Sequence, residues 1–215
     1  TKGADNVMQK NTGLLDKLLL SKSVYESITS KKPAMYAGMV LIGAVDILLS
    51  QPDIVFMRLF IEKSASNLFY NITLLFVLVI LVGILDTLFF TVPLFDFFKA
   101  VSINKDEKFK TGLAVRLAKV YIIAHLITLP ATVLLQIILE IQGPGIGNSM
   151  AYFLQLASLG IFIWFCAVNT RGINVLFDLK KNFRWAVFPV VLVWNILLGS
   201  ALGFAIVNWV MTLFK

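Results

Sequence analysis

Long runs of apolar residues dominate this chain, and polar or charged stretches separate them. Each run is about as long as the ~20 residues that an α-helix needs to cross a bilayer. The runs lack the alternation of apolar and polar positions that a membrane β-barrel requires. The pattern therefore predicts an all-α, polytopic membrane helical bundle with five transmembrane helices, at residues 34–50, 68–93, 113–141, 150–168 and 186–214.

The first 32 residues follow a different pattern, in which apolar residues such as Leu14, Leu18 and Val24 recur at helical spacing with lysines between them. This pattern predicts a basic tail with an N-terminal amphipathic helix at 1–32, followed by a single membrane domain at 33–215. Two placements of that helix are open. It lies flat on the membrane surface, or it packs against the end of the bundle.

The stretches between the spans predict the connections. Residues 51–67 mix apolar and charged side chains, which favours a helix lying in the membrane interface. Residues 96–111 are polar, and residues 143–149 are rich in glycine, which is typical of a helix-breaking loop. Pro130 predicts a kink inside the third span.

The composition supports the membrane assignment. Of the 215 residues, 59% are hydrophobic and 14% are charged, and the mean hydropathy is +0.86. An ordinary soluble domain is about 45–50% apolar and about 25% charged. A globule of this size cannot hide such an excess of apolar surface from water. We therefore expect a multi-pass protein of the cell (cytoplasmic) membrane, surrounded by the lipid bilayer.

The net charge of +7 becomes an orientation signal once the spans are drawn. With a cytoplasmic N-terminus, 16 of the 19 Lys and Arg residues lie on the inner side, in the tail or beside the inner connections. Cytoplasmic loops carry such an excess, so we predict the N-terminus inside and the C-terminus outside. These cations face anionic lipid rather than nucleic acid. The residues expected at lipid headgroups are Lys31, Lys32, Lys180, Lys181 and Arg184.

Three ionisable side chains, Asp46, Asp86 and His125, fall deep inside the predicted spans. At about 1.5 Å per residue, Asp46 and His125 lie about 18 Å from the cytoplasmic face and Asp86 about 10 Å. A charge at mid-span costs about 2.5–3.5 kcal/mol on insertion scales, so each carboxylate must be protonated, paired or hydrated. Two interpretations are open. The residues form a proton or cation route, or they hold the bundle together by hydrogen bonds between helices.

Few other residues offer chemistry. Cys166 and His125 are the only cysteine and the only histidine, which excludes an intrachain disulfide and a cysteine metal cluster. The chain has no phosphate-binding loop, no nucleophile elbow and no metallopeptidase motif. We therefore expect no enzymatic activity, no catalytic residue, no cofactor and no metal.

Small residues in the last span predict close helix packing. Gly199 and Gly203 form a GxxxG motif, and Ala201 and Ala205 repeat the spacing on a neighbouring face. Such residues let two helix backbones approach closely. The contact lies within the chain, or it forms a dimer.

Two stretches resemble the Yip1-domain membrane proteins, particularly their bacterial members. Phe109–Pro130 (FKTGLAVRLAKVYIIAHLITLP) is similar to the entry of that family's third span, where a Phe-initiated basic segment leads through an aromatic-plus-small pair to Leu-Pro. Trp164–Pro189 (WFCAVNTRGINVLFDLKKNFRWAVFP) is similar to its last inner connection, with a Trp-containing span, a Gly after the membrane exit, a short loop and a Pro. The five-span topology with a basic cytoplasmic tail also resembles this family.

The resemblance implies a function, and the polar residues suggest a second one. The tail lacks the Asp-Leu-Tyr-Gly-Pro motif of eukaryotic members, so the resemblance does not extend to Rab-type GTPases and vesicle traffic. It implies a non-enzymatic accessory or scaffold protein that binds other membrane proteins, such as the subunits of an ABC-type export or envelope-protection system, and that can form an oligomer. The alternative is a small proton- or ion-coupled transporter that uses Asp46, Asp86 and His125.

Overall fold

The computed structural model describes residues 16, 18–50, 52–61, 63–103, 112–142 and 147–214. All regular elements in this part of the chain are helical, and the only β-type pairing there is an isolated bridge between Ser102 and Leu179. The predicted all-α class is therefore confirmed.

Eight α-helices follow one another in the described residues. The last of them continues as a π-helical turn, Ile206–Val210, and a 3₁₀ turn, Met211–Leu213. The helices are α1 (Lys22–Ser27), α2 (Pro33–Ser50), α3 (Pro52–Phe60), α4 (Ala65–Val101), α5 (Leu113–Gln142), α6 (Asn148–Leu176), α7 (Lys181–Arg184) and α8 (Val187–Ala205).

Within the part of the chain that the structure describes, four helical stretches are long and apolar enough to cross a membrane. They are α4, α5, α6 and the stretch Lys181–Leu213, which contains α7 and α8. Helix α2 is apolar but shorter; its 18 residues extend about 27 Å, against a hydrocarbon core of about 30 Å. By length and composition the chain is thus a multi-pass helical bundle with four candidate spans.

Helix α4 is longer than the predicted second span. It continues through Pro93 to Val101, so residues 96–101 are helical and not part of a polar connection. A proline removes the N–H that would bond to the carbonyl four residues earlier, here that of Phe89. The indole Nε1–H of Trp194 donates to this carbonyl instead, at 3.1 Å. Because the freed acceptor is satisfied, the helix is not interrupted.

Helix α6 also runs past its predicted end at residue 168, to Leu176. Polar residues in this last part suggested a loop, but Gly172, Ile173 and Leu176 are buried against the bundle. Tertiary packing therefore extends the helix beyond the apolar run that would cross a bilayer.

The N-terminal segment packs against one end of the bundle. Tyr25 in α1 is fully buried, and its hydroxyl lies 2.8 Å from the carbonyl of Leu19 and 3.1 Å from that of Val168. Lys119 at the start of α5 donates to the carbonyl of Thr29 at 2.8 Å. Of the two predicted placements, packing against the bundle is thus found for residues 18–30. Residues 1–15 and 17, which include Leu14 of the predicted amphipathic helix, lie outside the described residues.

Tyr25→Phe is expected to lower the free energy of unfolding by about 1–2 kcal/mol, because two buried carbonyls lose a hydroxyl donor. Burial also raises the pKa of Tyr25 from 10.0 to about 12. The neutral hydroxyl therefore contributes fully below about pH 10, and its contribution is lost as the pH rises towards 12. Thermal unfolding in detergent at several pH values measures both effects. Tyr36→Phe is the control, since that side chain is exposed; equal behaviour of the two variants would contradict the anchoring role.

Candidate functional site within the helical bundle

Helices α2, α4 and α5 bring Asp46, Asp86 and His125 together at one point. One carboxylate oxygen of each aspartate and one imidazole nitrogen all lie within 4.8 Å of one another. Asp86 is buried, and the other two side chains are half-buried. Three residues that are far apart in sequence therefore form a single cluster among the helices.

Two glycines explain why the aspartates meet. A Cβ placed on Gly43 would lie 2.6 Å from the backbone N of Gly83 and would also collide with the carbonyl oxygen of Val79. A Cβ on Gly83 would lie 2.9 Å from the backbone N of Gly43 and would collide with the carbonyl oxygen of Met39. The backbones of α2 and α4 thus touch at this crossing, where only glycine fits. Each aspartate follows its glycine by three residues, nearly one helical turn.

The two crossing segments also share a sequence pattern. Residues 41–48 (LIGAVDIL) and 81–88 (LVGILDTL) both read Leu, Ile or Val, Gly, two residues, Asp, one residue, Leu. The contacts are reciprocal as well, because Gly43 meets the carbonyl of Val79 and Gly83 meets that of Met39, the equivalent position. The shared pattern thus places an equivalent glycine contact and an equivalent aspartate on each of the two helices. Sequence reasoning missed this repeat, although the spacing was visible.

Tyr121 on α5 connects the cluster. Its hydroxyl donates to the Asp86 carboxylate and lies 3.0 Å from Oδ1 and 2.8 Å from Oδ2. Its ring stacks on Phe90, with ring centroids 3.9 Å apart. Its backbone carbonyl accepts from Nδ1 of His125 at 3.1 Å. Tyr121 was not predicted as a site residue, although it precedes His125 by four residues and so lies on the same helix face.

A cavity of about 410 Å³ adjoins the cluster. Besides the three ionisable residues it is lined by Tyr121, Thr128 and Asn195, and α8 contributes Gly199 and Gly203. Oxygen Oδ2 of Asp46 is buried and has no hydrogen-bond partner among the described residues. A buried carboxylate oxygen without a donor is costly, so this oxygen is the unsatisfied acceptor of the site.

The GxxxG motif of the last span, Gly199 and Gly203, faces the cavity. A Cβ added to Gly199 or Gly203 would meet nothing within 4 Å in the described part of the chain. These glycines line the cavity. Close packing on Gly199 and Gly203 within the chain therefore has no support among the described residues. A dimer contact through Gly199, Gly203, Ala201 and Ala205 stays a prediction.

Tyr121→Phe is expected to cost about 1–3 kcal/mol of stability, because Asp86 loses a buried donor. The loss should fall when Asp86→Asn is already present, since the two residues form one hydrogen-bonded pair. Thermal unfolding of the two single variants and the double variant measures this coupling. Tyr152→Phe is the matched control, because Tyr152 is exposed. Additive effects of Tyr121→Phe and Asp86→Asn would show that the pair does not interact.

The five cations predicted at lipid headgroups are exposed at the end of the bundle that carries the N-terminal segment or on its connections. These residues are Lys31, Lys32, Lys180, Lys181 and Arg184.

Comparison of the chain with protein-family models, curated proteins and solved structures found no match. Inference about function therefore rests on the cluster, the cavity and the charge distribution.

Proposed function

We propose that this protein is a small proton- or cation-coupled membrane transporter, without enzymatic activity, whose ion site consists of Asp46, Asp86 and His125. The observation that carries the proposal is the convergence of these three groups, with ligand atoms within 4.8 Å of one another, beside a cavity of about 410 Å³. Ionisable residues inside a membrane bundle typically mark ion or proton pathways. Carboxylate and imidazole groups both bind and release protons.

The alternative role, holding the helices together, accounts less well for the site. A structural polar cluster is expected to satisfy its buried atoms, because a half-satisfied network is costly. Here the Tyr121 hydroxyl donates a hydrogen bond to Asp86, whereas Oδ2 of Asp46 has no partner among the described residues. The helices also leave space beside these groups. An unsatisfied acceptor next to open space supports the binding of an ion or a proton.

We propose five crossings, with α2 as the first, in a cytoplasmic membrane with the N-terminus inside. Residues 18–30 contact the start of α5, and Ile103 after α4 donates to the carbonyl of Asp178 after α6 at 2.8 Å. The N-terminal segment and the end of α4 thus lie at one end of the bundle. Helix α3 packs with Phe214 in a separate core cluster. Helix α2 runs between the same two ends as α4 and in the opposite direction, which supports α2 as the first crossing.

Flux into proteoliposomes tests the proposed function. The full chain is reconstituted into vesicles, a pH gradient is imposed, and the internal pH is followed with a trapped dye, with and without divalent cations outside. We expect protein-dependent proton movement above the leak of empty vesicles. Movement at the leak rate under all conditions would contradict the proposal.

A second proposal is the accessory role that the resemblance to Yip1-domain proteins implies. The similarity of Phe109–Pro130 and Trp164–Pro189 to that family favours it. Capture from native membranes in mild detergent, followed by mass spectrometry, tests this role. We expect specific membrane partners such as ABC-transporter subunits, and recovery of the chain alone would contradict it.

A further inference from the structure

We propose that the cluster of Asp46, Asp86 and His125 binds a divalent transition-metal cation, for which Zn²⁺ is the best-fitting representative. This inference deepens the proposed function and rests on the same site. It names the class of ion that the site takes.

The donor atoms match this class of cation. Two carboxylate oxygens and one imidazole nitrogen give three protein ligands and leave a coordination position for water. Imidazole favours Zn²⁺, Fe²⁺ and related ions, whereas Mg²⁺ and Ca²⁺ prefer all-oxygen sites. Tetrahedral Zn²⁺ with bonds of about 2 Å holds its ligands about 3.3–3.5 Å apart. The ligand atoms lie within 4.8 Å of one another, so they must approach by at most about 1.5 Å to reach this separation.

The hydrogen bond of His125 prepares it as a ligand. Its Nδ1 lies 3.1 Å from the carbonyl oxygen of Tyr121. A carbonyl can only accept, so Nδ1 carries the proton and Nε2 of the neutral ring keeps a free lone pair. Metal-binding histidines typically donate their other ring N–H to a carbonyl or a carboxylate in this way.

The two aspartates prepare the site in different ways. The Tyr121 hydroxyl donates to Oδ2 of Asp86 at 2.8 Å. Carboxylates that bind metals are typically oriented by such hydrogen bonds. Oδ2 of Asp46 has no donor among the described residues, and a metal ion would satisfy it. The reciprocal crossing at Gly43 and Gly83 fixes both backbones and thereby both carboxylates.

Charge balance favours a divalent ion inside a membrane. Two ionised carboxylates and one M²⁺ form a neutral site, which avoids the cost of a net charge at this depth. None of the described residues that line the cavity is Lys or Arg. None of them therefore supplies a positive charge that would balance the two carboxylates.

Metal binding to the full chain in lipid nanodiscs tests the inference. Co²⁺ is the spectroscopic probe and Zn²⁺ the competitor, and isothermal titration calorimetry gives the affinity and stoichiometry. We expect one ion per chain, a visible Co²⁺ spectrum typical of low coordination number, displacement by Zn²⁺ and no displacement by millimolar Mg²⁺.

Variants identify the ligands. Asp46→Asn, Asp86→Asn and His125→Gln are each expected to weaken binding at least about tenfold. Glu140→Gln and Cys166→Ser should bind as the wild type does, because neither residue belongs to the cluster. Size-exclusion profiles and thermal unfolding select the folded variants. If a replacement prevents folding, Asp46→Glu or Asp86→Glu takes its place, with an altered Co²⁺ spectrum as the expected result.

The outcomes separate this inference from the proposed function. Absence of a bound ion, or binding that is unchanged in folded Asp46, Asp86 and His125 variants, would overturn the metal site. If proton flux that depends on Asp86 persists in that case, the proposed transport stands with protons alone. Metal binding without any flux would instead support the site and contradict transport.

Discussion

Replacement of Gly43 or Gly83 by alanine is expected to destabilise the protein by about 2–3 kcal/mol and to weaken the ion site. Alanine is a better helix former than glycine by about 1 kcal/mol, so helix propensity alone would predict that the replacement stabilises the protein. The added Cβ collides with backbone atoms of the facing helix, however, including the backbone N of Gly83 at 2.6 Å from a Cβ on Gly43. Backbone cannot rotate away as a side chain can. The two helices must therefore separate, and the aspartates separate with them.

The chain offers matched controls for this prediction. Gly160→Ala and Gly199→Ala add the same methyl group to α6 and α8, where it meets nothing within 4 Å in the described part of the chain. These variants should unfold at or above the wild-type temperature. Thermal unfolding in one detergent compares all four. If Gly43→Ala and Gly199→Ala behave alike, α2 and α4 do not cross in close contact.

Much of the helix pattern could be predicted from hydropathy, but helix ends depended on packing. Helix α5 occupies Leu113–Gln142, close to the predicted span, because polar residues flank its apolar run on both sides. Helix α4 was predicted to end at Pro93, where a proline and a following aspartate suggested an exit. The Trp194 indole, contributed by a helix a hundred residues later, satisfies the carbonyl that Pro93 leaves free. A contact so distant in sequence is invisible to local patterns.

The members of the candidate site could be predicted individually, but their meeting could not. Counting residues from the span ends gives a depth for Asp46, Asp86 and His125, yet it gives no direction around each helix axis. That direction is set by the contact at Gly43 and Gly83. The repeated spacing of glycine and aspartate was the available signal. It becomes informative only when the two segments are compared with each other.

Small-residue motifs were a weaker guide. Gly199 and Gly203 have the spacing of a packing motif, whereas they line the cavity wall. Small side chains are required both where backbones touch and where a cavity must stay open, so spacing alone cannot distinguish the two. Tyr121 illustrates the converse case. An aromatic residue in an apolar span is usually a packing residue, and only its hydroxyl contact with Asp86 gives it a role in the site.

Asp86→Asn is expected to reduce transport to the rate of empty vesicles. Asparagine keeps the size and planarity of the side chain, but it neither binds and releases a proton near neutral pH nor supplies a negative charge. Asp86 is buried, and its carboxylate accepts from Tyr121 at the centre of the cluster. A loss of charge at this position therefore removes both proton exchange and cation binding.

The matched control is Glu140→Gln, which makes the same chemical change outside the cluster. Glu140 is exposed near the end of α5, where it accepts from the Gln136 amide at 3.2 Å. Flux through this variant should equal that of the wild type. Both proteins must be reconstituted at equal density, and their orientation in the vesicles must be measured.

Comparison of proton flux between the wild-type, Asp86→Asn and Glu140→Gln proteins in the same vesicles is the most direct test of an ion pathway through Asp46, Asp86 and His125. We predict flux in the wild-type and Glu140→Gln vesicles, stimulated by external Zn²⁺, and leak alone with Asp86→Asn. Equal flux in all three would contradict the pathway.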